Sequence, residues 1–151
     1  MDQQITTNSI PKGFKPRFLG DGFIAFNGPL YTRMHEGQLQ AGFLVEARHT
    51  NPMGICHGGM LATFADMLCP ISAHVHCEAA KGRFLPTISL QIDYMASAKL
   101  GSWVQGEAQV LRATRTMVFM QGLISADAVT VARISAIFKI GAEYKGALDR
   151  H

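Results

Sequence analysis

The stretch NPMGICHGGMLATFADMLCPISAHV, Asn51–Val75, decides the fold. Its second half places Leu61, Phe64, Ala65, Leu68, Ile71 and Val75 at the i, i+3, i+4, i+7 spacing of a helix with one apolar stripe. The pattern predicts a helix from about Gly58 to about Ala79, ended by Lys81-Gly82. Pro70 falls inside it, and its missing N–H predicts a kink or break at the third turn. The helix opens on His57-Gly58-Gly59, where serine, threonine, aspartate or asparagine would ordinarily accept bonds from the first free N–H groups. Each glycine there costs roughly 1 kcal/mol relative to alanine. An uncapped glycine start leaves free donors and the positive end of the helix dipole open to negative charge, with no Cβ to hold a ligand away.

Around this helix the period is that of strands. A short strand is expected at Phe18–Phe26, closed by the turn signal Asn27-Gly28-Pro29. Leu39, Ala41, Phe43, Val45 and Ala47 alternate with mostly polar neighbours, as a half-buried strand does. Four strand-like runs follow the helix, at 84–95, 102–113, 116–127 and 130–140. The third is apolar on both faces, as a central strand would be. Consecutive strands with short connections argue for an antiparallel sheet with the single helix on one face. The small face Val104–Gly106–Ala108 would let that helix approach closely. The class is therefore α+β, with residues 18–141 as the domain, 1–17 as an irregular arm and 142–151 as a polar, frayed tail.

With 48% apolar and 17% charged residues among 151, the chain reads as one globular domain rather than a disordered one. No apolar run approaches the ~18 residues of a membrane span, and the polar start MDQQITTNSIPKGFKPRF has no apolar signal segment, so a cytoplasmic protein without a membrane partner is expected. A net charge of +3 with scattered cations gives no footprint for nucleic acid. Cys56, Cys69 and Cys77 are odd in number and form no CxxC pair, which suggests neither disulfides nor zinc. His74 and His76, at i and i+2 of a helix, point apart, so no metal site is expected. Cys56 stands beside His57 but has no oriented base, which argues against a thiol nucleophile.

Asn51, Gly54, His57, Gly58, Gly59 and Asp66 fall within sixteen residues. The pattern N-x-x-G-x-x-H-G-G at Asn51–Gly59, followed seven residues later by Asp66, resembles the acyl-CoA thioesterases of the hotdog fold. The similarity is to their phenylacetate-degradation (PaaI-like) and 4-hydroxybenzoyl-CoA branch. Ile92–Gly101, IDYMASAKLG, resembles the strand and turn that follow the helix in that family, and the element order matches over roughly residues 18–141. The resemblance implies one long central helix wrapped by a curved antiparallel sheet. It also implies roles for individual residues. Gly58 N–H would polarise the thioester carbonyl, with His57 orienting that end and Gly59 beside the substrate. Asn51 would position the thioester or the attacking water, and Asp66 would be nucleophile or general base. Thr87 would assist Asp66, although strict alternation puts it on the polar face unless a bulge near Pro86 turns it. Arg112 and Arg115, flanking a strand turn, would meet the phosphates of coenzyme A, which enters as part of the substrate rather than as a cofactor.

Gly58 and Asp66 lie eight residues apart, roughly 12 Å along a helix axis. If both act on one thioester, they come from different chains, so a homodimer with two interface sites is expected, and possibly a homotetramer. Two other classes remain open on these residues: a hydratase or dehydratase of acyl thioesters, and a non-catalytic acyl-CoA binder.

Overall fold

In the computed structural model, residues 10–144 are described. The expected helix, α2, runs Gly58–His76 and buries Met60, Leu61, Phe64, Ala65, Leu68, Cys69, Ile71, Ser72 and Ala73. Pro70 is accommodated inside it without ending it. The helix stops at His76, earlier than expected, where the Cys77 N–H bonds to the Ala73 carbonyl and a short 3-10 turn, Glu78–Ala80, follows. Val75 therefore lies on the last turn and is 43% exposed rather than part of the buried stripe.

Seven strands form one antiparallel sheet: β1 (Lys15–Arg17), β2 (Leu30–His35), β3 (Gln38–Leu44), β4 (Thr87–Tyr94), β5 (Trp103–Ala113), β6 (Met117–Ala126) and β7 (Val129–Lys139). Their order is β1-β2-β3-β5-β6-β7-β4, so α2 carries the chain from β3 across to the far edge. On the way it touches β5 most closely and also β3, β4, β6 and β7. One helix held in one sheet is the hotdog arrangement that the motif implies.

The small face on β5 does what its sequence suggests. A Cβ on Gly106 would lie 2.7 Å from Leu68 Cδ2 and 3.0 Å from the Leu123 carbonyl oxygen. Around this contact Phe43 and Phe64 pack with ring centroids 5.2 Å apart, and Met120, Ile134 and Phe138 complete the floor. The β7 face Ala132, Ile134, Ala136, Phe138 and Ile140 is buried throughout, as its alternation requires. Strand β6 is internal to the sheet, but its outer face is open: Leu123 is 55% exposed, so its apolar character on both sides does not reflect burial on both sides.

The amino-terminal third departs from expectation. Residues 18–26 are not a strand. Gly20, at φ +92, breaks the extended run, and Phe23–Asn27 closes into a short helix, α1, whose end is fixed by the Gly28 N–H on the Ile24 carbonyl. Lys15–Arg17, within the expected irregular arm, instead pairs with Leu30–Thr32 as β1. The strand β2 was hidden because its alternation is weak, yet its turn is legible: Glu36 and Gly37 take φ 50 and 79, the positive values of a tight two-residue hairpin. At the other end, residues 142–144 are held rather than frayed. The Phe84 N–H bonds to the Ala142 carbonyl, and the Tyr144 N–H bonds to the Gly82 carbonyl. Residues 1–9 and 145–151 of the expected arm and tail lie outside the described residues.

Replacing Gly106 by valine forces Leu68 and the sheet apart. Overpacking of this kind costs about 1–3 kcal/mol, so the Gly106→Val urea midpoint should fall with the slope of the transition unchanged.

Candidate active site

Asn51 opens the loop that leads into α2 by folding it on its own side chain. Its Oδ1 accepts from the N–H groups of Met53 and Ile55, at 2.9 and 3.4 Å. Its carbonyl accepts from Gly54, whose φ of +74 the tight turn requires. The Cys56 N–H then bonds to the Ala98 carbonyl and the His57 N–H to the His49 carbonyl, both at 2.7 Å. The chain thus enters the helix from a fixed direction.

The helix start is capped, contrary to the sequence expectation, and the cap is a histidine. His57 Nδ1 accepts from the Gly59 N–H at 2.8 Å. Gly59 makes room for it, since a Cβ there would stand 2.9 Å from that nitrogen. The cap uses the second donor of the turn and not the first. Among the described residues, the Gly58 N–H takes no hydrogen bond. Its carbonyl accepts one, from Tyr94 Oη at 2.6 Å, and a Cβ on Gly58 would lie 3.4 Å from the phenol ring. Burial, and secondarily Cys56, raises the Tyr94 hydroxyl above its usual pKa, which keeps it a donor. Tyr94 escapes a reading by pattern because it alternates in step with the apolar Ile88, Leu90 and Ile92, against Ser89, Gln91 and Asp93; only its place in IDYMASAKLG marks the region.

Two turns further along α2, Thr87 Oγ1 donates to Asp66 Oδ1 at 2.6 Å. The contact needs Thr87 turned toward the helix, and a bulge supplies the turn. Thr87 pairs with Phe138 and Ser89 with Ile137, so Ile88 is left over. Asp66 and Thr87 open on a cleft of about 350 Å³, walled by Leu19, Ile24, Met67, Pro70 and Phe84.

The late-helix histidines are engaged in structure: His74 Nε2 donates to the Arg83 carbonyl at 2.7 Å, and His76 Nε2 accepts from the Leu39 N–H at 3.1 Å. Burial pushes the Cys56 thiol up to about 11. Cys69 is pushed up to about 12 by burial and, secondarily, by the charge of Asp66. Arg112 and Arg115 stand exposed at the β5–β6 hairpin, and neither lines the Asp66 cleft. Within one chain, then, the residues fall into two groups, Asn51–His57–Gly58–Gly59–Tyr94 at the helix start and Asp66–Thr87 two turns on, with the arginines apart from both.

Residues 53–133 match the family described as the thioesterase superfamily. The chain is 26% identical over 133 residues to the Pseudomonas aeruginosa protein named "Putative esterase PA0474", covering 87% of this chain and 98% of that one. It is 32% identical over 75 residues to mouse acyl-coenzyme A thioesterase 13, spanning 50% of this chain and 51% of that protein. Among solved structures, zebrafish thioesterase superfamily member 2 superposes with a TM-score of 0.65 at 28% identity, over 74% of this chain and 81% of that one.

A thiol acts as a nucleophile only as its thiolate, and Cys56 is 5% exposed with its pKa raised. Iodoacetamide at pH 8 should therefore leave Cys56 unmodified in the folded protein, as read by intact mass and peptide mapping. Rapid stoichiometric alkylation there would show a reactive thiol.

Proposed function

The chain belongs to the thioesterase superfamily, and on that premise we propose that it hydrolyses the thioester of an acyl- or aryl-acyl-coenzyme A. The observation that carries this reading is the Asp66 carboxylate, oriented by the Thr87 hydroxyl and facing a mostly apolar cleft. Asp66 either takes a proton from water, whose oxygen then attacks the carbonyl carbon, or attacks that carbon itself and is later released by water. In both routes the carbonyl oxygen gains negative charge, and a donor fixed in advance stabilises it most where that charge develops. The unspent Gly58 N–H, backed by the helix dipole, is such a donor. Collapse of the tetrahedral intermediate breaks the C–S bond and releases coenzyme A as its thiolate, which takes up a proton; it leaves the carboxylic acid where water attacked, and where Asp66 attacked an acyl–Asp66 anhydride that water then hydrolyses to the acid.

His57 serves this donor through the backbone. By capping Gly59 it fixes the first turn and leaves Gly58 free. Asn51 contributes by holding the loop through its Oδ1. Arg112 and Arg115 are the exposed cations we assign to the coenzyme A phosphates. The name of the mouse relative, an acyl-coenzyme A thioesterase, supports this choice of carrier.

The site is completed by a second copy. Roughly 12 Å of helix separates Gly58 from Asp66, too far for one carbonyl group to meet both. Strand β4 is an edge with Ile88 and Tyr94 each 52% exposed. Its first residue, Thr87, bonds to Asp66, and its last, Tyr94, bonds to Gly58. Antiparallel pairing of two β4 edges about a two-fold axis brings the Asp66 end of one copy to the Gly58 end of the other, twice per dimer.

Asp66→Asn should lower kcat by at least ~100-fold, the lower end for a positioned acid–base group. Thr87→Val should cost roughly tenfold, about the worth of one hydrogen bond to a charged group. Thiol release from a panel of coenzyme A esters reads both, and enoyl-CoA hydration is assayed alongside. Full turnover by Asp66→Asn, or hydration in place of hydrolysis, would discard the assignment.

Two inactive variants should also rescue each other. Co-expressing Asp66→Asn with Gly58→Leu gives mixed dimers in which one site has both defects and the other has neither. With random pairing, about a quarter of wild-type activity returns. Activity no greater than that of the parents, with mixed dimers confirmed by mass, would place both residues in one chain's site.

A further inference from the structure

Gly58 and Gly59 stand side by side in the first turn of α2. Glycine has the widest choice of backbone angles, so two in succession leave that turn little conformational hold of its own. The peptide unit between them, the Gly58 carbonyl with the Gly59 N–H, is instead held at both ends by side chains. Tyr94 Oη donates to the carbonyl at 2.6 Å, and the Gly59 N–H donates to His57 Nδ1 at 2.8 Å. Hydroxyl, peptide and imidazole thus form one chain of hydrogen bonds. Each bond in such a chain polarises the next and strengthens it by about 10–30%. The two clamps have different origins: His57 is the residue before the helix, and Tyr94 ends strand β4. The turn is therefore fixed against the sheet as well as against itself.

We propose that Tyr94 is a positioning residue for the hydrolysis, acting through the Gly58–Gly59 peptide on both the Gly58 N–H and His57. This rests on the thioesterase reading above and adds a residue to it. The N–H assigned to the developing oxyanion belongs to Gly58, and only the two soft dihedrals at the Gly58 Cα separate it from the clamped peptide. Pinning the carbonyl side limits the directions that N–H can take. A donor of this kind works by being aimed beforehand, with no reorganisation at the moment of reaction. On the other side of the peptide, a neutral imidazole that accepts at Nδ1 carries its proton on Nε2, so the same chain fixes the tautomer of His57. The phenol must remain a donor throughout, and burial, with Cys56 second, holds its pKa above the usual value. The ring alone does none of this. It stands at ordinary contact distance from a Cβ on Gly58, which phenylalanine would keep, whereas the hydroxyl is what reaches the carbonyl.

Tyr94→Phe keeps the ring and removes only the hydroxyl, and melting curves establish that it folds. Its kcat for thiol release from coenzyme A esters should fall roughly fivefold, the worth of one hydrogen bond between neutral groups. KM should stay within about twofold, as for an interaction that serves the transition state. In a His57→Ala background the same substitution should cost less than about twofold in kcat, because groups that act through one peptide do not add. A further readout needs no turnover: NMR of the imidazole nitrogens should find the wild-type His57 proton on Nε2, and Tyr94→Phe should move the ring toward a mixture of tautomers. An unchanged kcat in the folded variant overturns the inference. So does a loss confined to KM, an equal loss in the His57→Ala background, or a wild-type His57 with its proton on Nδ1. Each of these leaves the thioesterase reading standing. No hydrolysis of any ester by the wild type is the distinct outcome that removes that reading, and the inference with it.

Discussion

Leu68 rests on the bare backbone at Gly106, and the separation this sets between helix and sheet governs the rest of the domain. A methyl group at position 106 would lift α2 away from β5. Phe64 would then lose its fit against Phe43, and Asp66, two residues before Leu68 on the same helix, would move relative to Thr87. The helix is at once the inner half of the core and the carrier of both Gly58 and Asp66, the two groups proposed to act. Packing and chemistry therefore share one set of coordinates, and a displacement small enough for a core to absorb is large on the scale of a 2.6 Å hydrogen bond.

The sequence was most legible where one periodicity ran long enough to leave no choice. The stripe from Leu61 to Ile71 specified the helix, and the alternation in 130–140 specified β7 with its buried face. It was least legible where a few residues decide locally. Gly20 ends the extended run that Phe18–Phe26 would otherwise make, and β2 depends more on the hairpin geometry of Glu36-Gly37 than on its own weak pattern. Of the site, the requirement for a bulge could be stated from alternation, because Thr87 otherwise falls on the wrong face; the skipped residue, Ile88, is a matter of register that only the structure gives. Tyr94 could not be found by pattern at all, since its ring satisfies the apolar face while its hydroxyl serves the helix end.

The two glycines at the helix start have separate purposes, which the motif alone does not distinguish. Gly59 exists to admit the His57 ring, since any side chain there would collide with the capping nitrogen. Gly58 lies open beside the Tyr94 ring and keeps its N–H unspent. A serine or aspartate cap would also have satisfied the turn. The imidazole does so from the preceding residue with a ring whose far side remains at the surface, so one side chain fixes the turn and still borders the space in front of it.

Pro70 has a consequence for the residue one turn before it. In a helix, the N–H at position 70 would bond to the carbonyl of residue 66, and proline has no such hydrogen. The main-chain oxygen of Asp66 therefore lacks its partner in the ladder, and the helix is stitched as two lengths with a dropped stitch between them. The first length is tied down by the His57 cap and the Tyr94 hydroxyl, the second by His74 on Arg83 and His76 on Leu39. The rung that the ladder lacks thus falls at the residue that bears the carboxylate, between two lengths that are each anchored to the rest of the domain.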